Sequence, residues 1–216
     1  MRMINEIELL ENNKIYIVGN IAATPVFNHQ IYGESFYNVI IEVQRLSKQI
    51  DMVPVLISDH LIDINFLKLG VIIEIKGQVR SYNNLDKTEK KRLVVNIFAR
   101  EAKILDTLDG IENYNDAFFD AFICKEPNFR ITPFGREICD LLIAVNRAYK
   151  KSDYIPCICW GRNARYCENM QVGTRLRIWG RFQSREYEKK DQYGNIVIKT
   201  AYEVSVIKLE KAEEEK

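Results

Sequence analysis

An internal repeat constrains this 216-residue chain more than any single motif does. Displacing the sequence by 102 positions brings Pro25, Phe27 and Gly33 onto Pro127, Phe129 and Gly135. Val43, Arg45, Lys48, Asp51 and Pro54 then meet Val145, Arg147, Lys150, Asp153 and Pro156. With one extra residue in the second copy the offset becomes 103, and Gly70, Ile75, Gly77 and Ser81 meet Gly173, Ile178, Gly180 and Ser184. A period of this length is too long for a solenoid unit and means two tandem domains of one fold.

Each copy reads as mostly β. In the second, "CDLLIAVNRAY", "YIPCICWGR", "TRLRIWGRFQS" and "VIKTAYEVSVIKL" are strand-length runs rich in β-branched and aromatic residues. Turn formers in "KKSD", "QVG" and "KKDQYGN" separate them, and "AFFDAFICKEP" supplies an opening strand. "NARYCENMQ" predicts a short helix after the third strand, and "HLIDINFLKLG" occupies the same place in the first copy. Five strands with a helix after the third describe an OB-fold. The expected class is therefore all-β, with two tandem five-stranded OB-fold barrels, each carrying one short helix. The polar, glycine-containing stretch 106–116 is the expected linker between domains at 1–105 and 117–210, with 211–216 a short acidic tail.

The net charge of +1 hides an asymmetry. Residues 1–112 carry 13 Lys/Arg against 15 Asp/Glu, whereas residues 127–200 carry 14 against 7. A concentrated basic block interleaved with Tyr and Trp is an electrostatic footprint for a polyanion. The chain holds no P-loop, nucleophile elbow or paired metal knuckles, and its two histidines, His29 and His60, both lie in the first half. No enzymatic activity, cofactor or metal is expected. No apolar run approaches the roughly 20 residues of a membrane span, and "MRMINEIELLENNK" lacks the basic start of a signal peptide, so a cytoplasmic protein is expected. The five cysteines show no disulfide spacing and read as thiols.

Strand alternation sorts the key side chains. In "DYIPCICWGR", Tyr154, Pro156, Ile158 and Trp160 share one face, while Ile155, Cys157 and Cys159 share the other and read as core. In "TRLRIWGRFQS", Leu176, Ile178 and Phe182 point one way, and Arg175, Arg177, Trp179 and Arg181 the other. Aromatic faces stack on bases and arginines track phosphates, so Trp179 joins the candidate nucleic-acid contacts, with packing or a subunit interface as the competing role.

The segments "KEPNFRITPFGREICDLLIAVNRAY", "IPCICWGRNAR", "VGTRLRIWGRFQSREY" and "TAYEVSVIKL" resemble the bacterial single-stranded DNA-binding protein family over about residues 118–209. The resemblance implies stacking of single-stranded DNA on four aromatic positions, which fall here on Tyr149, Tyr154, Trp160 and Tyr187. It implies a phosphate path along Arg130, Arg147, Lys150, Lys151, Arg162, Arg177, Arg181 and Arg185, with Lys189 and Lys190 at a hairpin tip. Arg147, matched by Arg45 in the repeat, has a structural role as its alternative. Subtracting the offsets turns the four aromatics into Ser47, Met52, Ser58 and Asn84, so the first copy is expected to support assembly more than DNA affinity. Tyr82 and "KTEKKR" leave room for a secondary contact there. The implied function is sequence-nonspecific binding and protection of single-stranded DNA in replication, repair or recombination, by a nucleoid-associated homodimer presenting four OB-folds. An accessory, primosome-type OB protein acting through protein partners is the alternative. The ending "LEKAEEEK" departs from the family's acidic tip with a hydrophobic end, so other replication or repair proteins are not expected to be recruited that way.

Overall fold

The computed structural model describes residues 11–85, 91–111, 114–190 and 194–212. The chain's first ten residues, most of "KTEKKR", the tip of the last hairpin and residues 213–216 lie outside these. The first copy contributes β1 (Asn13–Ile21), β2 (Val26–Ile31), β3 (Glu34–Gln44), β4 (Ile50–Ser58), β5 (Ile72–Leu85) and β6 (Lys91–Leu105). The second contributes β7 (Asn115–Ile123), β8 (Asn128–Ile131), β9 (Glu137–Asn146), β10 (Ser152–Trp160), β11 (Arg175–Lys190) and β12 (Ile196–Lys211). A helix, α1 (Arg162–Glu168), follows β10, and a 3₁₀ turn at Ile64–Phe66 follows β4.

Each copy closes on itself. In the first, β1 pairs with both β3 and β5, and β4 meets β6 in parallel. In the second, β7 pairs with β9 and β11, and β10 meets β12 in parallel. Closed barrels of this kind leave few unpaired edges. The short strands β2 and β8 are additional to the five-strand plan. β8 has four residues, none of them buried, so it shows no apolar alternation to read. The kept glycines have a backbone reason: a Cβ on Gly77 would sit 2.2 Å from the Phe98 carbonyl oxygen, and one on Gly180 2.5 Å from that of Ser205. Both stand at β-bulges, where the partner backbone crosses close by.

The two helical pieces differ for local reasons. In α1 the small side chains of Ala164 and Cys167 are buried against the barrel. In the first copy the Asp63 carboxylate accepts the Asn65 backbone N–H at 2.9 Å, and the β-branched Ile62 and Ile64 disfavour extending the helix, leaving a single turn.

The barrels are joined by strand pairing. β1 runs antiparallel to β7, from Asn13 opposite Phe119 to Ile17 opposite Asn115, making one twelve-stranded sheet. Ile15 and Ala117, mates in the repeat, face each other at the middle of this pairing, so a local pseudo-two-fold axis passes between them. The apolar interior continues across the join through Ile15, Ile17, Ala117 and Phe119. Each such fully buried large side chain contributes roughly 1.5–3 kcal/mol.

Candidate nucleic-acid interface

β10 follows the expected alternation except at Ile158, an outer-face position that is buried, at 4% exposed. Ile155, Cys157 and Cys159 are buried, while Tyr154 and Trp160 are 42% and 38% exposed at the two ends of the outer face. The cysteines are core: the Cys159 and Cys167 sulfurs lie 3.7 Å apart, and burial pushes the Cys139 thiol up to about 12. Tyr149 stands in the 3₁₀ turn Ala148–Lys150 between β9 and β10, with φ of 58° and 88% of its surface exposed. A bulky residue held at positive φ with its ring in solvent is uncommon and marks a functional candidate. Tyr187, on the distal part of β11, has the Arg185 guanidinium 5.9 Å from its ring. Tyr187 and Pro156 of β10 line one cleft of about 530 Å³, together with Tyr202 and with Arg92 from the first barrel's hairpin. Arg92 closes the basic run "KTEKKR", whereas Tyr202 carries no sequence signal of its own; the approach of the two hairpins brings them together.

The basic candidates divide into two groups. Lys150, Lys151, Arg162, Lys189 and Lys190 are exposed, on the turn before β10, at the start of α1 and at the end of β11. Of the others, three are paired with carboxylates of their own barrel and two, Arg147 and Arg181, stand at the seam. Arg130 pairs with Asp140 at 2.8 Å, Arg177 with Asp120 at 3.5 Å and Arg185 with Glu203 at 3.4 Å. Trp179 packs on Phe118 of β7 at 5.2 Å between ring centres, with the Lys208 ammonium 4.4 Å over its ring. It lies two strands around the barrel from β10, away from the Tyr154–Trp160 face.

Arg147 and Arg181 lie at the seam between barrels, where the residues kept by the repeat form two matching clasps. Asp51 accepts the Ser184 backbone N–H at 2.8 Å, and Ser184 Oγ accepts the Met52 N–H at 3.0 Å. Asp153 likewise accepts the Ser81 N–H at 2.8 Å, and Ser81 Oγ accepts the Tyr154 N–H at 2.6 Å. Both carboxylates are fully buried. Arg45 neutralises Asp51 with Nε at 2.6 Å, which raises the arginine's pKa. Asp153 receives Arg80 of the first barrel at 2.9 Å and Arg147 at 3.4 Å. Arg181, with its Nε buried and without a hydrogen-bond partner, has its pKa lowered by burial and then by Arg45. The alternative reading of Arg147 as a structural residue thus has a contact behind it.

The second barrel matches the model of the single-strand binding protein family over residues 114–211. It is 30% identical over 88 residues to single-stranded DNA-binding protein B of Bacillus subtilis, covering 75% of that protein and 36% of this chain. The chain belongs to this family. It is also 34% identical over 76 residues to single-stranded DNA-binding protein 3 of Clostridium acetobutylicum, covering 53% of that protein and 32% of this chain. With that relative and several others the match spans about half their length. The wild-type single-stranded DNA binding protein from Thermus aquaticus superposes with a TM-score of 0.70 over 94% of each chain. At 18% identity that likeness concerns the fold, and it takes in both barrels of this family member. Among the described residues no helix is long and apolar enough to cross a membrane, and no His, Cys, Asp and Glu group is arranged to hold a metal ion.

Proposed function

We propose that the protein binds single-stranded DNA without sequence preference, through the outer face of the second barrel. The observation that carries this reading is the exposure of three aromatic rings, Tyr149, Tyr154 and Trp160, along β10 and the turn before it, with a half-buried fourth, Tyr187, on the neighbouring hairpin. Every base has a π-face, so stacking on them tolerates any sequence at about 1–3 kcal/mol per base. Lys150, Lys151, Arg162, Lys189 and Lys190 supply charge for the phosphates, and Arg130, Arg177 and Arg185 can exchange a carboxylate partner for one. Affinity then falls with salt at a log–log slope of about −0.7 per phosphate contact. Duplex is a poor ligand because its bases are already stacked and paired. Coating of exposed strands in this way suits replication, repair and recombination.

The first barrel acts here as a built-in neighbour, joined through β1 and β7. Two barrels per chain and a family resemblance to four-fold assemblies support a homodimer; sedimentation at the mass of one chain would remove that part of the reading. The decisive experiment is titration of poly(dT) with tryptophan fluorescence as readout. Quenching that weakens with salt and is lost in Trp160→Ala is expected; absence of binding at low salt would overturn the function.

A further inference from the structure

The first barrel lacks aromatics at the offset mates of the stacking set, yet its own outer face is far from bare. His29 of β2 stacks on Phe36 of β3 at 4.8 Å with the rings 10° apart, and Phe36 meets Phe98 of β6 at 6.0 Å. The Arg100 guanidinium lies 4.9 Å from the centre of the Phe98 ring. Phe98 is opposite Leu56 on β4, which is the repeat mate of Ile158 on β10. His29, Phe98 and Arg100, with Phe36 buried behind them, join Tyr82 in lining a cleft of about 440 Å³ that also receives Arg80 and, from the second barrel, Arg147. A second cavity of about 330 Å³ shares Arg80, Arg100 and Arg147 with it and reaches Lys151 and Tyr149. The two cavities share these three arginines as a common wall, and together their linings trace a channel-like course across the seam, from Tyr149 of the second barrel to Phe98 of the first. Among the described residues neither cavity is lined by an acidic side chain.

We infer that a single DNA strand bound on the second barrel continues through this channel onto the first barrel, with a base over Phe98 or Tyr82 and phosphates against Arg100, Arg80 and Arg147. The chemistry is specific to such a ligand. Three guanidiniums face this space; Asp153, the partner of Arg80 and Arg147, is already buried beneath those two, and among the described residues Arg100 donates only to the Gln78 amide oxygen, at 3.4 Å. Burial lowers the pKa of Arg80, and Arg147 and Arg100 push in the same direction. An entering phosphate relieves that crowding. The aromatic groups beyond the arginines suit a stackable base, which a simple anion does not have. The second barrel differs on its own last strand: Ser205, opposite Ile158, takes the place that Phe98 has opposite Leu56, and the buried Glu203, held by Gln183 and Arg185, takes that of Asn96 opposite Arg80.

The inference rests on single-strand binding by the second barrel, and oligonucleotide length separates the two. Full-length protein is titrated, by anisotropy, with labelled oligo(dT) of about 10 nucleotides, which one barrel accommodates, and of about 30, which must run beyond it. Arg100→Gln is expected to weaken the long oligonucleotide about fivefold and reduce its salt slope by about 0.7, with under a twofold change for the short one. Phe98→Leu, which keeps an apolar side chain but loses the π-face, should weaken the long one about fivefold or more. Arg100 is exposed, so its replacement leaves folding intact, and a thermal melt checks Phe98→Leu. No effect of either substitution on the long oligonucleotide overturns the channel. So does an equal loss on both lengths, or a change in oligomeric mass with binding unaltered. Failure of the wild-type protein to bind either length would instead overturn the single-strand reading itself, and the channel with it.

Discussion

The two barrels share a scaffold and differ in what they show to the outside. The residues common to both copies sit where the backbone turns, where strands cross closely, in the core or at the seam: Gly77 and Gly180 at the bulges, Ile75 and Ile178 in the barrel interiors, Asp51 and Asp153 in the clasps. The residues that differ sit on the outer face. β10 ends in an exposed Trp160, whereas its mate Ser58 on β4 is buried, bonded to Glu34 and accepting the His60 N–H at 3.0 Å. The second barrel shows Tyr149, Tyr154 and Trp160 to the outside, while the first has a different set, His29 on β2 with Phe98 and Arg100 on β6. Two copies of one fold can therefore share a seam under tight constraint while their exposed faces diverge, because an outward side chain has few neighbours to satisfy.

The largest expected effect would break the symmetry of the seam. Asp153→Asn and Asp51→Asn each leave arginines under-compensated around a buried position, and each is expected to lower stability by about 3–5 kcal/mol in urea unfolding. A large loss at one site and none at the other would show that the matching clasps are not equivalent.

On binding, the contrast between faces should be sharpest at one pair of mates. Trp160→Ala is expected to cost about 1–3 kcal/mol of poly(dT) affinity and Ser58→Ala nothing measurable in the same titration. Equal effects would erase the division of labour.

Alkaline pH should separate the barrels by stability, since all five cysteines lie in the second. Burial raises the Cys139 thiol from an ordinary value near 9 to about 12. The folded state then holds this proton while the unfolded state loses it. Its contribution is complete below pH 9 and declines as the pH rises from about 9 towards about 12, by up to about 1.4 kcal/mol per unit. Denaturant midpoints between pH 8 and 10 test this, and Cys139→Ala should flatten the decline.

The smallest effect is a gain. Met52, the mate of Tyr154, is 40% exposed, and Met52→Tyr should tighten long-oligonucleotide binding about twofold to fivefold by adding one ring to the first barrel's face.

Period and alternation alone determined that this chain makes two β-barrels of one kind, which face of β10 is core, and where Tyr154 and Trp160 point. Those properties depend on side-chain order along a strand, which the chain carries locally. β8 stayed hidden because four residues without a buried member leave no pattern. The roles of the arginines were decided by tertiary structure. Alternation put Arg175, Arg177 and Arg181 outward, but whether an outward arginine meets solvent, a carboxylate or another barrel depends on what crosses beside it. Asp120 on β7 holds two of them, and the seam takes the third. The same holds for the clasps and the channel. Arg147 reaches Arg80, Arg100 and Phe98, which β5 and β6 already hold together, only once β1 has paired with β7, a contact between residues about a hundred positions apart that no local pattern encodes.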